Sequence, residues 1–258
     1  MTTRRLLSWN VNGIRAIQKR GFLDWLTETS PDVLCLQETK ARPEQLHDAL
    51  LSPDDYHVYW NYPERKGYSG VAIFSREKPL EVHSGFSVER FDAEGRVLAA
   101  RFPAFLLYNV YFPNGKMGPE RLAYKLAFYE AFLNHIVELK QQGERIVVCG
   151  DYNTAHTEID LSHPRENAKV SGFLPQEREW IDRLVDRGFI DTFRMFHSAG
   201  GHYTWWDAKT RSRERNVGWR IDYFFVSDNL AESVRDATIL NEVMGSDHCP
   251  VSLTLDID

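Results

Sequence analysis

Short apolar segments recur along the chain, and each ends beside polar residues of the kind that carry out catalysis. The lengths of these segments and the turn-forming residues around them predict β-strands. The predicted strands cover residues 4–9, 33–36, 56–62, 70–74, 105–112, 146–149, 221–226 and 251–255. The Gly-rich turn KGYSG between the third and fourth strands predicts a hairpin.

Helical patterns alternate with these strands. The clearest helix is predicted over residues 119–142, where Pro119 and Glu120 suit a first turn and Gly143 suits a stop. Shorter helical patterns cover residues 22–27, 41–51 and 180–185. This order predicts an α/β layered domain with mixed or antiparallel sheets, not a regular parallel repeat. Because no Gly-rich, Ser-rich or Pro-rich linker divides the sequence, residues 1–258 are expected to form one catalytic domain.

The composition limits the class and the compartment of the protein. Its 31 basic and 37 acidic residues give a formal net charge of −6, which argues mildly against nucleic-acid binding. A metal site needs clustered carboxylates, so the distribution of charge matters more than the sum. The cysteines Cys35, Cys149 and Cys249 are expected to be buried free thiols. Lacking a signal-peptide core and any apolar run of about 20 residues, the chain is predicted to be cytoplasmic and not membrane-bound.

Polar side chains collect where the predicted strands end. Ends of neighbouring strands meet at one edge of a sheet, so residues far apart in sequence can converge there. Singly they mean little, because GDYN is more often a turn and S-D-H more often a cap or loop. Together they suit phosphodiester hydrolysis, which needs an activated water and stabilisation of charge on the phosphate and the leaving oxygen. The residues are Asn10, Asn12, Gln37, Glu38, Lys40, Tyr111, Asn114, Asp151, Asn153, Asp222, Asp247 and His248.

The carboxylates and amides in this set suit a metal-assisted reaction. Glu38 supplies a hard oxygen ligand of the kind that Mg²⁺ prefers, and Asp247 offers another. Asp151 is the candidate to accept a proton from the attacking water. Asn153 offers an amide donor that would orient this water or bind a phosphate oxygen.

The remaining members of the set suit the phosphate and the leaving group. His248 can donate to the phosphate once it is protonated. Asp222 would hold the tautomer of this histidine and favour its charge. The hydroxyl of Tyr111 is a further donor near the phosphate or the leaving group.

Seven motifs carry a family resemblance along the chain: SWNVNGIRA, LQETK, KGYSGVA, YFPNG, CGDYNTAH, NVGWRIDYFFVS and GSDHCPV. Through them, residues 6–255 resemble the exonuclease III family of AP endonucleases. The resemblance implies an α/β four-layer sandwich, in which two mixed β-sheets pack face to face and helices flank them. It also implies an enzyme that incises double-stranded DNA 5′ to abasic sites and leaves a 3′-hydroxyl. Side activities as a 3′-phosphodiesterase and a 3′→5′ exonuclease are expected, and action on some modified bases is left open.

The resemblance further implies a cofactor and individual residue roles. The expected cofactor is Mg²⁺, for which Mn²⁺ would substitute, and the expected state is a monomer. Glu38 matches the principal metal ligand, and whether one or two metal ions act is open in the family. The expected metal set is Asn10, Glu38, Asp151, Asn153 and Asp247. The expected catalytic set is Tyr111, Asp151, Asn153, Asp222 and His248.

A basic segment and three tryptophans point to DNA. Residues 209–220 (KTRSRERNVGWR) lie beside Trp205, Trp206 and Trp219, a combination that suits phosphate contacts next to an apolar pocket. By resemblance, Trp205, Trp219 and Ile221 line a pocket for a flipped-out abasic sugar, which would select by size. Trp206 is expected to pack in the core. The other expected DNA contacts are Asn12, Arg15, Tyr68, Asn114, Lys116, Lys125, Asn167 and Lys209, of which Lys209 matches a side chain inserted into the base stack.

The chain departs from some relatives at two positions. Asn12 stands where animal enzymes carry Asp, and a neutral amide binds Mg²⁺ more weakly. Glu38 is therefore expected to carry more of the metal binding. Val170 stands where some relatives place a DNA-contacting Asn, whereas Asn167 nearby is retained.

Two other functions are compatible with parts of the pattern. A phosphodiesterase of the same wider superfamily with another substrate, such as a non-specific nuclease or an inositol-phosphate or sphingomyelin hydrolase, would share the catalytic core. The segment NVGWRIDYFF with its basic loop favours DNA over those substrates. A catalytically silent DNA-binding module is disfavoured because every expected catalytic position is occupied.

Overall fold

The computed structural model describes residues 2–257, and two six-stranded β-sheets form its centre. The strands are β1 (Thr2–Asn10), β2 (Val33–Gln37), β3 (His57–Asn61), β4 (Val71–Ser75), β5 (Glu81–Ser84), β6 (Val97–Arg101), β7 (Leu106–Tyr111), β8 (Ile146–Asp151), β9 (Phe189–Asp191), β10 (Trp205–Trp206), β11 (Gly218–Trp219), β12 (Asp222–Ser227), β13 (Val234–Ile239) and β14 (Val251–Ile257). The α-helices are α1 (Ile14–Gln18), α2 (Phe22–Thr29), α3 (Asp48–Leu51), α4 (Glu89–Asp92), α5 (Pro119–Gln141), α6 (Pro164–Asn167), α7 (Pro175–Asp186) and α8 (Thr192–Phe196). Short 3₁₀ turns cover Pro43–Gln45, Glu158–Asp160, Ala208–Thr210, Ser212–Arg215 and Asp228–Ser233.

The two sheets share one pattern of strand pairing. The first has the order β13-β14-β1-β2-β4-β3 and the second the order β5-β6-β7-β8-β12-β9, while β10 and β11 form a separate ribbon. In each sheet the central pair is parallel, β1 with β2 and β7 with β8, and the flanking pairs are antiparallel. The carboxyl ends of the central strands therefore lie at one edge of their sheet. The amino ends of the antiparallel strands β12 and β14 lie at that same edge.

Alternation along the strands divides their apolar side chains between two faces. On the inner faces, Leu6 and Cys35 of the first sheet pack with Leu107 and Val147 of the second. The outer face of the first sheet, including Leu7, is covered by α1 and α2, and α5 and α7 cover the second sheet. Each fully buried Leu or Val side chain contributes about 1.5–3 kcal/mol to this packing. The order helix, sheet, sheet, helix confirms the four-layer sandwich.

Helix α5 forms most of the layer outside the second sheet. Pro119 occupies its first turn, where a missing N–H leaves no hydrogen bond unmade, and Gly143 follows its end in the left-handed region. Its buried stripe includes Phe128, Phe132 and Ile136, which pack on the sheet. The helix predicted over residues 119–142 is confirmed to within one residue. Within residues 2–257, no helix is both long and apolar enough to cross a bilayer.

The helix predicted over residues 41–51 is wrong as a single element. Pro43–Gln45 forms a 3₁₀ turn, Leu46 and His47 are extended, and α3 follows as one short turn. A segment this short forms too few hydrogen bonds to offset the cost of helix nucleation. Packing therefore decides its conformation residue by residue.

The hairpin predicted around KGYSG is confirmed, since β3 and β4 pair antiparallel with Tyr59 opposite Ile73. Several short strands were not predicted. Strand β6 reads VLAAR, in which two alanines hide the alternation, and β10 and β11 have two residues each. Segments so short become strands only because a partner lies beside them.

The predictions about buried thiols and about one tryptophan are confirmed. Cys35, Cys149 and Cys249 are all free and buried. The Trp206 side chain is 3% exposed, and its ring packs under the guanidinium of Arg213 at 4.5 Å. These side chains are core residues. Because they are buried, they cannot contact a ligand directly in this conformation.

Gly150 lies at a close approach between β7 and β8. A Cβ atom on this residue would lie 1.8 Å from the carbonyl oxygen of Val110. Its φ of 140° also lies in a region that L side chains rarely adopt. Glycine at this position therefore permits the pairing that presents Asp151 at the end of β8.

Replacing Gly150 by Ala is expected to lower the free energy of unfolding by more than about 3 kcal/mol, because β8 must move away from β7. Gly143→Ala is the matched control, since Gly143 has a φ of 93° but no heavy atom within 4 Å of the added Cβ. That control is expected to cost about 1 kcal/mol from backbone strain alone. Urea denaturation followed by circular dichroism measures both, and equal losses would contradict the packing argument.

Candidate active site

A polar cleft opens at the sheet edge where the central strands end. Its volume is about 280 Å³, and residues from both sheets and from the β10–β11 ribbon line it. The lining residues are Asn12, Glu38, Lys40, Tyr111, Asn114, Lys116, Asp151, Asn153, Gly172, Trp205, Trp219, Ile221, Asp247 and His248. Most of the residues predicted from strand ends are thus brought together, because both parallel strand pairs deliver their carboxyl ends to this edge.

His248 and Asp222 form a buried hydrogen-bonded pair. The Nδ1 atom of His248 donates to Oδ2 of Asp222 at 2.9 Å, and the hydroxyl of Thr204 donates to the same oxygen at 2.6 Å. Burial opposes protonation of the imidazole, but the carboxylates of Asp222, Asp151 and Asp247 outweigh it and raise the pKa of His248 to about 10. The expected pairing of Asp222 with His248 is therefore present, and the imidazole is a cationic donor at neutral pH.

Asp151 lies at the other side of this imidazole. Its Oδ2 atom is 3.9 Å from Nε2 of His248 and accepts hydrogen bonds from the side-chain amides of Asn10 (2.8 Å) and Asn153 (3.2 Å). Burial and the nearby Asp222 carboxylate raise the pKa of Asp151 to about 7, against the opposing effects of His248 and these hydrogen bonds. A carboxylate with that pKa suits proton transfer near neutral pH.

Glu38 lies where β2 ends and directs its carboxylate across the cleft. Its Oε2 atom accepts from the amide of Asn10 at 3.0 Å, and its Oε1 atom is 2.8 Å from the ammonium of Lys40. Glu38, Lys40, Asn12 and Asn153 all have positive φ angles, between 45° and 56°. Such conformations cost about 1–3 kcal/mol each and cluster at functional sites.

Asp247 connects this acidic region to the aromatic part of the cleft. Its Oδ1 atom accepts from the amide of Asn12 at 2.9 Å, and its Oδ2 atom accepts from the indole of Trp205 at 3.1 Å. Although burial opposes the charge, His248 and these two donors lower the pKa of Asp247. Asp247 therefore remains an anion in the cleft.

Two tryptophans and an isoleucine form an apolar pocket beside the carboxylates. Trp205 and Trp219 are opposite one another in the β10–β11 ribbon, with ring centroids 6.4 Å apart at 82°. Ile221 and Phe173 pack behind them. The ammonium of Lys116 lies 5.0 Å from the Trp205 ring centroid and 5.5 Å from that of Trp219, so a cation lies against both rings. The three residues expected to form this pocket do lie together.

Tyr111 and Asn114 complete the wall on the side of the second sheet. Burial and the Glu38 carboxylate raise the pKa of Tyr111 well above its usual value, so its hydroxyl keeps its proton and can donate. The amide of Asn114 donates to Oδ1 of Asn153 at 2.8 Å. Asn114 thus helps to fix the orientation of the Asn153 amide beside the cleft.

The expected DNA contact of Lys125 is wrong. Its side chain is 0% exposed, and its ammonium forms an ion pair with Glu177 at 2.6 Å. Arg220 of the basic segment is also buried, in ion pairs with Asp160 and Asp191. A charge held in the interior by a carboxylate is not available to a phosphate.

The other residues expected to contact DNA differ in their exposure and in their hydrogen bonds within the protein. Arg15 and Lys209 are exposed. Tyr68 accepts hydrogen bonds from Arg96 (2.7 Å) and Arg121 (2.8 Å), and the amide of Asn167 donates to backbone carbonyls of its own loop. These two side chains are part of local networks that fix their positions.

Thr204 also belongs to the site, although no sequence pattern predicted it. Its hydroxyl accepts from the backbone N–H groups of Ile221 (3.0 Å) and Asp222 (3.1 Å) and donates to the Asp222 carboxylate. A single threonine before a tryptophan pair carries no motif that would have marked it. Its role depends on the ribbon placing it beside β12.

Comparison with known proteins identifies the family. Residues 7–248 match the model of the endonuclease/exonuclease/phosphatase family. The chain belongs to this family. An exodeoxyribonuclease of Bacillus subtilis is 48% identical to it over 255 residues, which are 98% of this chain and 100% of that protein. The DNA repair nuclease APEX1 of Danio rerio is 43% identical over 97% of this chain and 82% of that protein.

Solved structures of family members agree with this assignment. An AP endonuclease from Archaeoglobus fulgidus has a TM-score of 0.89 and 30% identity, with 98% of this chain and 100% of that chain covered. A 3′-5′ exonuclease from Neisseria meningitidis has a TM-score of 0.90 and 30% identity, with 98% and 99% covered. The resemblance to AP endonucleases is thus confirmed, and the chain is an enzyme of the hydrolase class.

Members of this family are metal-dependent, and the cleft offers two sets of ligand atoms. Asp151, Asp222 and His248 each offer one atom within 4.8 Å of the others. Their hydrogen bond and mutual charges suit proton transfer better than a hard cation. The carboxylate oxygens of Glu38 and Asp247 are the better fit, because a hard cation prefers carboxylate ligands. The ammonium of Lys40 already contacts both Glu38 and Asn12, which marks a place that attracts a cation.

Replacing Asp222 by Asn is expected to return the His248 pKa from about 10 toward its ordinary value of 6.5. Because the folded-state pKa is the higher one, protonation stabilises the fold fully below pH 6.5, and this stabilisation is lost as the pH rises to about 10. An NMR titration of the imidazole in EDTA measures the change. Asp182→Asn, beside His156 at the surface, is the control and leaves the His248 titration unchanged. An unaltered titration in Asp222→Asn would contradict the pairing.

Proposed function

We propose that this enzyme is a Mg²⁺-dependent DNA-repair nuclease that incises double-stranded DNA 5′ to abasic sites and leaves a 3′-hydroxyl. The observation that carries the proposal is the Trp205–Trp219 pocket opening directly beside the carboxylate and imidazole array. Full-length similarity to an exodeoxyribonuclease and to a DNA repair nuclease supports nuclease activity on DNA. An AP endonuclease with the same fold supports the abasic substrate.

In the proposed reaction, Asp151 accepts the proton of the attacking water while Asn153 orients that water. Protonated His248 and the Tyr111 hydroxyl donate to oxygens of the phosphate, where charge develops. As the water oxygen bonds to phosphorus, the P–O3′ bond breaks, and the leaving 3′ oxygen takes up a proton from solvent to give the 3′-hydroxyl. Glu38 and Asp247, with Asn10, Asp151 and Asn153 near them, would hold the metal ion, which when bound supplies further charge stabilisation to the phosphate. The raised pKa of Asp151, near 7, and that of His248, near 10, suit these opposite tasks at neutral pH.

Selection of abasic DNA would come from the size and apolar lining of the pocket. An abasic sugar flips out of the helix at low cost because it has no base to unstack. Trp205, Trp219 and Ile221 would enclose this sugar, and a nucleotide with a base would be too large. Exposed Arg15 would contact the backbone, since phosphate contacts supply most of the affinity for DNA, and exposed Lys209 would insert into the base stack.

A second activity on DNA 3′ ends is also proposed. The 3′-5′ exonuclease among the structural relatives favours it. We further propose that the enzyme acts as a monomer in the cytoplasm, and that Mn²⁺ replaces Mg²⁺. A hydrolase of inositol phosphates or sphingomyelin is a weaker candidate, since the faces of the two tryptophan rings form an apolar pocket that suits a deoxyribose better than a polyhydroxylated ring.

Three end-labelled duplexes test the proposal: one with an internal abasic site, one with a blocked 3′ end and one intact. With Mg²⁺, the abasic duplex is expected to be incised fastest, and EDTA is expected to abolish all cleavage. Labelled products resolved on a sequencing gel report the position of the cut and the 3′ terminus. Absence of cleavage of the abasic duplex in Mg²⁺ would overturn the proposed function.

Asp151→Asn and Glu38→Gln are each expected to lower kcat for abasic incision at least about 100-fold, because one removes the base and the other a charged ligand. The surface variant Asp186→Asn makes the same chemical change outside the cleft and is expected to keep full activity. Single-turnover rates on the abasic duplex measure all three. A rate within about 2-fold of wild type for Asp151→Asn would exclude it as the base.

A further inference from the structure

Lys125 and Glu177 form an ion pair that is buried behind the catalytic turn. Lys125 lies in α5 and Glu177 in the first turn of α7, and both side chains are 0% exposed. The ammonium and the carboxylate are 2.6 Å apart. A buried ion pair is often no more stabilising than apolar side chains of the same volume. A contribution to stability therefore does not by itself explain why this ion pair is present.

The ammonium of Lys125 holds the turn that follows β8. It donates to the backbone carbonyl of Asn153 and to the hydroxyl of Thr154, both at 2.8 Å. With Glu177 as the third acceptor, all three of its N–H groups are used. Asn153 has a φ of 52°, a conformation that needs support from its surroundings. Lys125 thus fixes the backbone that presents Asp151 and Asn153 to the cleft.

The carboxylate of Glu177 holds the loop that borders the aromatic pocket. Its Oε2 atom accepts from the backbone N–H groups of Gly172 (2.6 Å) and Leu174 (3.0 Å), and its Oε1 atom accepts from the Ser171 hydroxyl at 2.9 Å. A Cβ on Gly172 would lie 3.2 Å from the ring of Trp219. The loop therefore forms a wall of the pocket and has little freedom to move toward it.

We propose that the Lys125–Glu177 pair is a positioning element that sets the distance between the catalytic turn and the pocket. A sugar seated against Trp219 then presents its phosphate to Asp151 and Asn153. The inference rests on the proposed function and deepens it, because it names the residues that link recognition of the missing base to catalysis. Neither residue touches the substrate, and both act through the backbone groups that they hold.

The test uses Lys125→Met, Glu177→Gln and the double variant. Lys125→Met leaves the Glu177 charge buried without its partner and is expected to lower the unfolding midpoint strongly. The double variant removes both charges, so its stability is expected to recover toward wild type. Its kcat for abasic incision is expected to stay about 100-fold below that of the wild type, and its KM to change less than about 2-fold. The reason is that the turn and the pocket are no longer held at a fixed distance.

Two controls separate positioning from DNA contact and from simple loss of stability. Ile136→Ala, in the buried stripe of α5, is expected to lower stability and keep the wild-type kcat. Arg15→Ala is expected to reduce the slope of log affinity against log salt by about 1, whereas the double variant leaves it unchanged. A double variant with recovered stability and wild-type kcat would overturn the proposal. A smaller slope of log affinity against log salt in the double variant would also overturn the proposal, since it would indicate that Lys125 contacts DNA.

Hydrogen exchange gives a readout that does not depend on activity. The N–H groups of Asn153 and Gly172 are expected to exchange at least about 10-fold faster in the double variant, because the Asn153 carbonyl loses its bond from Lys125 and the Gly172 N–H keeps only a neutral amide acceptor. If the wild-type protein failed to cut the abasic duplex, the proposed function would be wrong. The exchange rates would still show whether the ion pair holds the catalytic turn and the pocket loop. Unchanged exchange at both amides would overturn the positioning role.

Discussion

The antiparallel register of β8 and β12 places Asp222 directly opposite Asp151, and the chemistry of the cleft depends on this pairing. Burial and the repulsion between the two carboxylates raise the pKa of Asp151 to about 7. His248 lies against both and carries the compensating positive charge. A slip of one residue would turn one carboxylate to the opposite face of the sheet. Strand pairing and the acid–base arrangement therefore cannot be separated.

Buried polar side chains align the two sheets beneath this site. The amide of Asn109 in β7 donates to the carbonyls of Leu36 (3.1 Å) and Ala72 (2.8 Å) in the first sheet. Gln37 donates to Oδ1 of Asn109 at 2.8 Å, directly before Glu38 in the chain. Apolar packing alone tolerates small shifts of one sheet over the other, whereas these hydrogen bonds form in only one alignment of the two sheets. They keep Glu38 and Asp151, which come from different sheets, at a constant separation.

The cleft has a hydrolytic part and an aromatic part. The hydrolytic part, with Asp151, Asp222 and His248, suits proton transfer in a chain whose family also includes phosphatases. The aromatic part, with Trp205 and Trp219, is the observation on which the proposed abasic substrate rests. A hydrogen bond from Trp205 to Asp247 joins the two parts, so the proposed pocket and the acidic cleft share a support.

The sequence by itself determined eight of the strands, the helix α5 and the residues that follow the strand ends. Its motifs named the family and nearly every residue that lines the cleft, because the site is built at strand termini. Only the tertiary structure decided which charged residues face solvent. Lys125 is four residues from Tyr129 on the buried stripe of α5, but its partner Glu177 is 52 residues away along the chain. Arg220 likewise takes its carboxylates from distant segments. Whether a charge is buried depends on partners that only folding brings near, so composition and spacing could not separate these residues from exposed Arg15 and Lys209.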